Sequence, residues 1–196
     1  MSSRPSALIL DRDGTVNSLI FNRHGKIDSP ATPDELVFYP GLQELLAPWT
    51  RASIPIFLVT NQPGMAKGRF TQADLDSVHT ACMRQFQNWG SPLTGIYCCP
   101  HHPVGTPQGD QNLIRACECR KPKPGLLLQL AQEHGIQLSD ALMIGDSDVD
   151  QQAAHSAGVG TFRAVVPFVP GSLRTVRPGL AGALPLDEAL ALPYNS

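Results

Sequence analysis

The chain has 196 residues, of which 42% are hydrophobic and 16% charged, and its formal net charge at pH 7 is −2. This length and apolar content suit one domain with a sizeable core and exclude a wholly disordered chain. The near-neutral charge excludes a protein that binds nucleic acid by bulk positive charge, so we expect no nucleic-acid partner.

Short apolar runs alternate with amphipathic stretches along the chain. Strands are predicted at 7–10, 54–59, 96–98 and 141–144, and helices at 42–49, 71–89, 125–135, 148–157 and 186–192. Nearly continuous apolar strands are typical of a parallel sheet that is covered on both faces. We therefore predict a single α/β domain over residues 1–196, with a mostly parallel sheet flanked by helices. Ligands bind such sheets at the carboxyl ends of the strands, where a polar segment follows each predicted strand.

The first strand runs directly into an acidic turn, Asp11-Arg-Asp13-Gly14-Thr. Two carboxylates two residues apart can do different work, one as a nucleophile and the other as a general acid and base. Gly14 permits a tight backbone whose N–H groups could cradle a phosphate. An acidic turn that caps a helix has the same composition, so this motif alone leaves both interpretations open.

Two further polar segments carry candidate phosphate-binding residues. Thr60 and Asn61 end the second strand and could donate hydrogen bonds to a phosphoryl group, although such residues are also common in turns. Arg120 and Lys121 precede a predicted helix, and a cation there could balance a carboxylate nucleophile and an incoming phosphate. A run of basic residues is more often simply exposed to solvent. Neither of these two segments therefore decides the function by itself.

The fourth strand is followed by Asp146, Asp148 and Asp150. Carboxylates are hard oxygen ligands for Mg²⁺, which takes one or two of them and completes its shell with waters and substrate phosphate. Asp148 and Asp150 also stand where a helix begins, and an acidic side chain stabilises a helix N-terminus. We expect one of these two to serve the helix.

In this order, and each at the carboxyl end of a strand, the four segments resemble the motifs of the haloacid dehalogenase superfamily of phosphohydrolases, over about residues 7–160. The matching residues are Asp11 with Asp13, Thr60, Lys121 and Asp146. The resemblance implies a Rossmann-like fold, with Asp11 as the nucleophile that forms an aspartyl-phosphate and Asp13 as the general acid and base. It also implies Mg²⁺ held by the carboxylates of Asp11 and Asp146 and by the backbone carbonyl of Asp13. Thr60, Asn61, Arg120 and Lys121 would then bind the phosphorylated substrate.

The cysteines point to a second metal. Cys99-Pro-His101 and Cys117-Glu-Cys119 are two closely spaced pairs separated by 15 residues. Three thiolates and an imidazole form a closed, tetrahedral ligand set of the structural Zn²⁺ type. We predict that this site fixes the loop 98–119 and takes the place of a separate cap domain. Cys98 and His102 adjoin the chosen ligands, so their share in zinc binding stays open.

An odd number of cysteines, clustered in this way, is not typical of a secreted disulfide framework. The apolar run 7–10 is shorter than the ~7–15 residues of a signal-peptide core, and no run approaches the ~18 residues of a membrane span. We expect a cytoplasmic monomer with no membrane partner.

Within the superfamily, the segments 61–70, 99–103 and 117–122 are similar to those of the heptose-bisphosphate phosphatases. That similarity implies a small phosphorylated sugar as substrate, D-glycero-D-manno-heptose 1,7-bisphosphate, which would lose its 7-phosphate. Histidinol phosphate or another small phosphomonoester is the alternative, because Ser147 stands where heptose phosphatases often carry lysine and the loop between the metal pairs is longer than expected. A zinc-stapled binding module without catalysis is the alternative of another class, and the intact set of motif residues weighs against it.

Overall fold

A computed structural model of the chain describes residues 4–21, 27–169 and 179–191. Its central sheet consists of the five parallel strands β1 (Leu8–Leu10), β4 (Ile56–Asn61), β5 (Gly95–Cys99), β6 (Leu142–Gly145) and β7 (Thr161–Ala164). Their order across the sheet is β5-β4-β1-β6-β7. Leu10 is in register with Leu58 on one side and with Ile144 on the other. The strand that carries Asp11 at its end is therefore the middle strand of the sheet.

Helices cover both faces of the sheet, as the continuous apolar strands predict. They are α1 (Leu42–Arg51), α2 (Gln72–Asn88), α3 (Gly125–His134), α4 (Asp148–Ala157) and α5 (Leu186–Leu190). On one face, Trp49 of α1, Phe86 of α2 and Leu186 of α5 pack into a common core. On the other face, Leu130 of α3 and Ala153 of α4 belong to a second core. The predicted α/β class is confirmed. Helix α5 ends at Leu190, where Ala191 is its C-cap, and residue 192 of the predicted helix lies outside the described residues.

The start of α4 shows how local sequence sets a helix boundary next to the site. Ser147 is the N-cap, and Asp150 accepts hydrogen bonds from the Ser147 backbone and hydroxyl in a capping box. Asp148 is exposed. The expectation that one of these two aspartates serves the helix is confirmed, and the residue is Asp150.

A short antiparallel hairpin follows β1, with strands β2 (Ile20–Phe21) and β3 (Ile27–Asp28). Strands of two residues have no periodicity that a sequence pattern could reveal. Within the described residues, this hairpin and the loops 62–70 and 100–119 border the carboxyl edge of the sheet, and no separate cap domain interrupts the chain. None of the helices in those residues is both long and apolar enough to span a membrane.

Candidate active site

A cleft of about 270 Å³ opens at the carboxyl edge of β1, β4 and β6. The structure brings all the predicted catalytic, phosphate-binding and magnesium residues to its walls: Asp11, Asp13, Thr60, Asn61, Arg120, Lys121 and Asp146. Parallel strands end at the same edge of the sheet, so residues far apart in sequence meet there. The cleft is therefore the candidate active site.

Asp11 and Lys121 form a buried ion pair at the floor of the cleft. Lys121 Nζ donates to Asp11 Oδ1 at 2.6 Å and to the Val59 carbonyl at 2.8 Å, and it pairs with Asp150 Oδ1 at 2.6 Å. Burial and the charge of Asp150 raise the pKa of Asp11 to about 6, although Lys121 opposes the shift. Burial lowers the pKa of Lys121, but the charges of Asp11 and Asp150 outweigh it and hold that pKa above its usual value. Lys121 is thus a cation shared between two carboxylates.

Asp13 lies in a cage of donors on the other side of the same turn. Arg12 donates to both carboxylate oxygens at 3.0 Å, Asn17 donates to Oδ1 at 2.9 Å, and Ser29 and Gln62 donate to Oδ2 at 2.9 and 2.7 Å. Burial alone would raise the pKa of Asp13, but the charge of Arg12 and these hydrogen bonds together lower it. The two carboxylates of one turn are therefore tuned in opposite directions.

Sequence reasoning missed the four donors around Asp13, and Arg12 is the clearest case. Its side chain is fully buried, whereas a charged residue in a polar turn is normally taken as solvated. The only available signal was its position between two carboxylates. Ser29 could not be found, since it comes from the segment that follows the short hairpin.

Asn61 contacts the backbone that carries Lys121. Its side-chain amide donates to the Lys121 carbonyl at 3.0 Å, and its Oδ1 accepts from the Lys121 N–H at 3.1 Å. Thr60, one residue earlier, accepts from Gln62 Nε2 at 2.8 Å. Both residues line the cleft as predicted, and Asn61 also fixes the adjoining loop.

A cluster of three buried carboxylates fits the predicted Mg²⁺. Oxygens of Asp11, Asp146 and Asp150 lie within 4.8 Å of one another. Gly14, at φ +94°, lets the backbone approach this cluster, because a Cβ there would come within 2.5 Å of Asp146 Oδ2. Lys121 is shared by Asp11 and Asp150, and carboxylate oxygens are the donors that Mg²⁺ prefers. Asp150 was not among the predicted Mg²⁺ ligands and is a third member of this cluster.

The four predicted zinc ligands also converge. Cys99, Cys117 and Cys119 have Sγ–Sγ distances of 3.1 to 3.5 Å, and His101 Nδ1 lies 3.3 Å from Cys119 Sγ and 3.8 Å from Cys99 Sγ. Zn–S bonds of about 2.3 Å place tetrahedral ligands at comparable separations. The four ligand atoms therefore form a closed set of the kind that holds structural Zn²⁺.

Cys98 and His102, which adjoin the four predicted zinc ligands in sequence, are not part of the Cys/His cluster. Cys98 packs against the apolar cluster of Met65, Phe70 and Leu75, and burial raises the pKa of its thiol to about 12. His102 Nδ1 faces the backbone of Val104. The alternative ligands left open by the sequence are not part of the cluster in this structure.

The chain is similar in sequence to proteins of known family. A family model described as HAD-hydrolase-like matches residues 118–163. The curated D-glycero-beta-D-manno-heptose-1,7-bisphosphate 7-phosphatase of Yersinia pestis is 37% identical over 161 residues, which cover 82% of this chain and 80% of the relative. The protein of the same name from Escherichia coli K12 is 34% identical over 166 residues, covering 82% and 79%.

Solved structures of phosphatases also resemble this chain. The D,D-heptose 1,7-bisphosphate phosphatase of B. bronchiseptica, solved with magnesium and phosphate, superposes with a TM-score of 0.71 at 31% identity, covering 94% of this chain and 96% of that one. A HAD-like phosphatase from Mesorhizobium loti gives a TM-score of 0.72 at 27% identity, covering 95% and 86%. The similarity extends over nearly the whole chain.

Proposed function

Because the chain belongs to the D-glycero-beta-D-manno-heptose-1,7-bisphosphate 7-phosphatase family of haloacid dehalogenase-like hydrolases, we propose that it removes the 7-phosphate of D-glycero-β-D-manno-heptose 1,7-bisphosphate. One observation carries the proposal: Asp11, Asp13, Thr60, Lys121 and Asp146 line a single cleft. A binding module without catalysis has no need of two carboxylates tuned in opposite directions.

Asp11 is the proposed nucleophile. Its pKa of about 6 leaves the carboxylate ionised at neutral pH, and Lys121 offsets its charge as the anionic substrate approaches. A carboxylate oxygen forms a bond to phosphorus while the bond from phosphorus to the sugar oxygen breaks, which leaves an aspartyl-phosphate. Water then cleaves that intermediate and returns the free carboxylate.

Asp13 is the proposed general acid and base. It would protonate the departing sugar oxygen and then remove a proton from the attacking water, a role that typically contributes ~10²–10⁴-fold in rate. Its carboxylate accepts five hydrogen bonds from Arg12, Asn17, Ser29 and Gln62. To carry a proton, Asp13 must therefore exchange at least one of these hydrogen bonds for contact with the substrate.

The remaining residues bind and neutralise the phosphoryl group. Thr60 and Asn61 would donate hydrogen bonds to it, Lys121 would balance its charge, and Arg120 would face the substrate. The carboxylates of Asp11 and Asp146 and the carbonyl of Asp13 would hold Mg²⁺. When bound, Mg²⁺ offsets the repulsion between an anionic nucleophile and an anionic phosphate.

Zn²⁺ has a structural role in this proposal. Cys99, His101, Cys117 and Cys119 supply four protein ligands, which leave no open position for water. The metal would pin the loop 98–119 beside the cleft. That the protein works as a cytoplasmic monomer stays a prediction.

The deciding experiment measures phosphate release from heptose 1,7-bisphosphate with and without Mg²⁺, and ³¹P NMR identifies which phosphate is lost. We expect Mg²⁺-dependent loss of the 7-phosphate and none from Asp11→Asn. If the protein hydrolyses histidinol phosphate or another monoester faster, it is a phosphatase that acts by the same mechanism on that substrate instead. Failure to release phosphate from any of them would leave the binding-module interpretation.

A further inference from the structure

The buried guanidinium of Arg12 has one end that Asp13 does not use. Its Nε and Nη2 donate to the two carboxylate oxygens of Asp13, along one edge of the planar group. The remaining nitrogen, Nη1, therefore points away from that carboxylate. Nη1 is buried and has no hydrogen-bond partner among the residues that the structure describes. Because a guanidinium stays protonated and a buried N–H without an acceptor is costly, Nη1 calls for a second acceptor.

His79 of α2 offers a matching acceptor. Its side chain is half-buried, and its Nε2 is buried without a hydrogen-bond partner within the described ranges. The charge of Arg12 acts on this ring, so the two side chains are neighbours. Burial together with that charge lowers the pKa of His79 to about 4, although the charges of Asp13 and Asp76 oppose the shift. The imidazole is therefore neutral at neutral pH, and its Nδ1–H tautomer leaves Nε2 free to accept.

The thiols near Arg12 are weaker acceptors. The charge of Arg12 also acts on Cys82 of α2 and on Cys98 of β5. Burial raises the pKa of Cys82 to about 11 and that of Cys98 to about 12, which keeps both thiols neutral. A neutral thiol accepts a hydrogen bond only weakly, whereas a neutral imidazole has a full acceptor nitrogen. Of the three titratable side chains, His79 is the best partner for the guanidinium.

Two amides near the turn face the other end of the guanidinium. Asn17 and Gln62 each have a buried side-chain oxygen without a partner in the described part of the chain. Both amides, however, donate from nitrogen to the carboxylate of Asp13, at 2.9 and 2.7 Å. They therefore lie on the side from which Arg12 Nη1 points away. This geometry favours His79 over the amides as the acceptor.

We propose that His79 is a positioning residue for the reaction: its Nε2 accepts a hydrogen bond from Arg12 Nη1, directly or through one water molecule, and so holds the guanidinium that orients Asp13. This rests on the proposed function, in which Asp13 is the general acid and base. Asp13 has to exchange one of its hydrogen bonds for contact with the substrate. An Arg12 side chain that is also held at its far end keeps its place during that exchange.

Long-range ¹H–¹⁵N NMR of the histidine rings tests the contact in the full chain without substrate. We expect wild-type His79 to be in the Nδ1–H tautomer at neutral pH, and the signals lost in His79→Gln identify it. We also expect His79→Leu to shift the Nη1 signals of Arg12. The tautomer is measured in wild type, so this test stands even where His79→Leu does not fold. A proton on Nε2, or Arg12 signals that His79→Leu leaves unchanged, would overturn the proposal.

Kinetics with the phosphomonoester that the protein hydrolyses measure the consequence for catalysis. We expect His79→Leu to lower kcat about 10-fold while KM changes by less than about 2-fold, since a misplaced proton-transfer group slows chemistry rather than binding. His79→Gln, whose Oε1 can accept in place of Nε2, should keep kcat within about 3-fold of wild type. Thr80→Leu is the matched control, because Thr80 is exposed and lines the same groove of α2 as His79.

The outcomes separate this proposal from the proposed function. Loss of kcat in His79→Leu, with recovery in His79→Gln and none of this loss in Thr80→Leu, supports the positioning role. Equal losses in the Leu and Gln variants of His79, or wild-type kcat in His79→Leu, contradict it. If wild type hydrolyses no phosphomonoester, the proposed function and the positioning role both fail, whereas the contact between His79 and Arg12 is still decided by NMR.

Discussion

Asn61 and Lys121 are joined by two reciprocal hydrogen bonds, one from the Asn61 amide to the Lys121 carbonyl and one from the Lys121 N–H to Asn61 Oδ1. The pair ties the end of β4 to the segment that delivers the Lys121 ammonium to Asp11. The position of the central cation therefore depends on an amide that the sequence suggests only as a phosphate ligand.

Removing that amide should displace Lys121. We expect Asn61→Ala to lower the free energy of unfolding by about 1–3 kcal/mol, because the buried groups that lose their partners are not fully resolvated. We also expect kcat to fall by about tenfold or more, since a small misplacement of a catalytic group is costly. Urea denaturation and steady-state kinetics measure the two effects. Asn112→Ala is the control, because Asn112 is exposed and lies outside the cleft, and an Asn61 variant that behaves like it would contradict this role.

Lys121 should also stabilise the fold, because it separates two buried carboxylates. Lys121→Met would leave Asp11 and Asp150 without their shared cation, and removal of one partner from a buried ion pair typically costs about 3–5 kcal/mol. We expect a loss of this size in urea denaturation without Mg²⁺. Lys123→Met, at an exposed pair, should stay within about 0.5 kcal/mol of wild type.

A double variant isolates the cause of that loss. Asp150→Asn keeps an oxygen that can accept the hydrogen bonds from Ser147, so the start of α4 is preserved while one buried charge is removed. We expect Asp150→Asn to restore part of the stability that Lys121→Met loses. Strictly additive destabilisation would show that the two residues are not coupled.

The sequence was sufficient to predict the arrangement of the main site residues. Asp11, Thr60 and Asp146 follow apolar strands, and parallel strands place such residues at one edge of the sheet. The helix α4 begins and ends at the predicted residues, because Ser147 caps it and Gly158 closes it in the left-handed conformation. The helix boundaries follow from local capping residues, and the meeting of the site residues follows from the common edge at which parallel strands end.

The environment of each site residue could not be predicted, because it depends on tertiary packing. Arg12 becomes a buried partner of Asp13 only in the folded protein, where its charge also acts on His79 and Cys82 of α2. The choice between Cys98 and Cys99 has a similar origin: neighbouring strand residues point to opposite faces, and the fold decides which face meets the Cys/His cluster.

The raised pKa of Asp11 predicts how stability depends on pH in the protein without Mg²⁺. The folded-state pKa of about 6 lies above the unfolded value of 3.8, so the folded state holds this proton more tightly. The contribution of Asp11 to stability is therefore lost as pH rises from 3.8 to about 6. We expect Asp11→Asn to be more stable than wild type at neutral pH, by at most about 3 kcal/mol, and equally stable near pH ~4.

Asp13, the second carboxylate of the turn, should affect the pH dependence of stability in the opposite direction. The pKa of Asp13 is lowered, so its contribution to stability is present at neutral pH and is lost as pH falls through that lowered pKa. Asp13→Asn should therefore be less stable than wild type at neutral pH. Thermal denaturation of both variants across pH, in protein desalted into Mg²⁺-free buffer, measures the difference. Destabilisation by both substitutions at neutral pH would contradict the assignment for Asp11.

The metal cluster offers the sharpest paired test, since Cys98 and Cys99 are adjacent on β5 and only Cys99 belongs to the cluster. We expect wild type and Cys98→Ala to carry one Zn²⁺ per chain by elemental analysis, and Cys99→Ala to lose it. Folding and metal binding are coupled when ligands from separate segments must converge, so Cys99→Ala should unfold at a markedly lower temperature. Its Mg²⁺-dependent phosphate release should persist in part, because four protein ligands leave Zn²⁺ no site for catalytic water. Equal zinc content in the two variants would exclude Cys99 as a ligand, and complete loss of hydrolysis in a still-folded Cys99→Ala would show that Zn²⁺ does more than hold the loop.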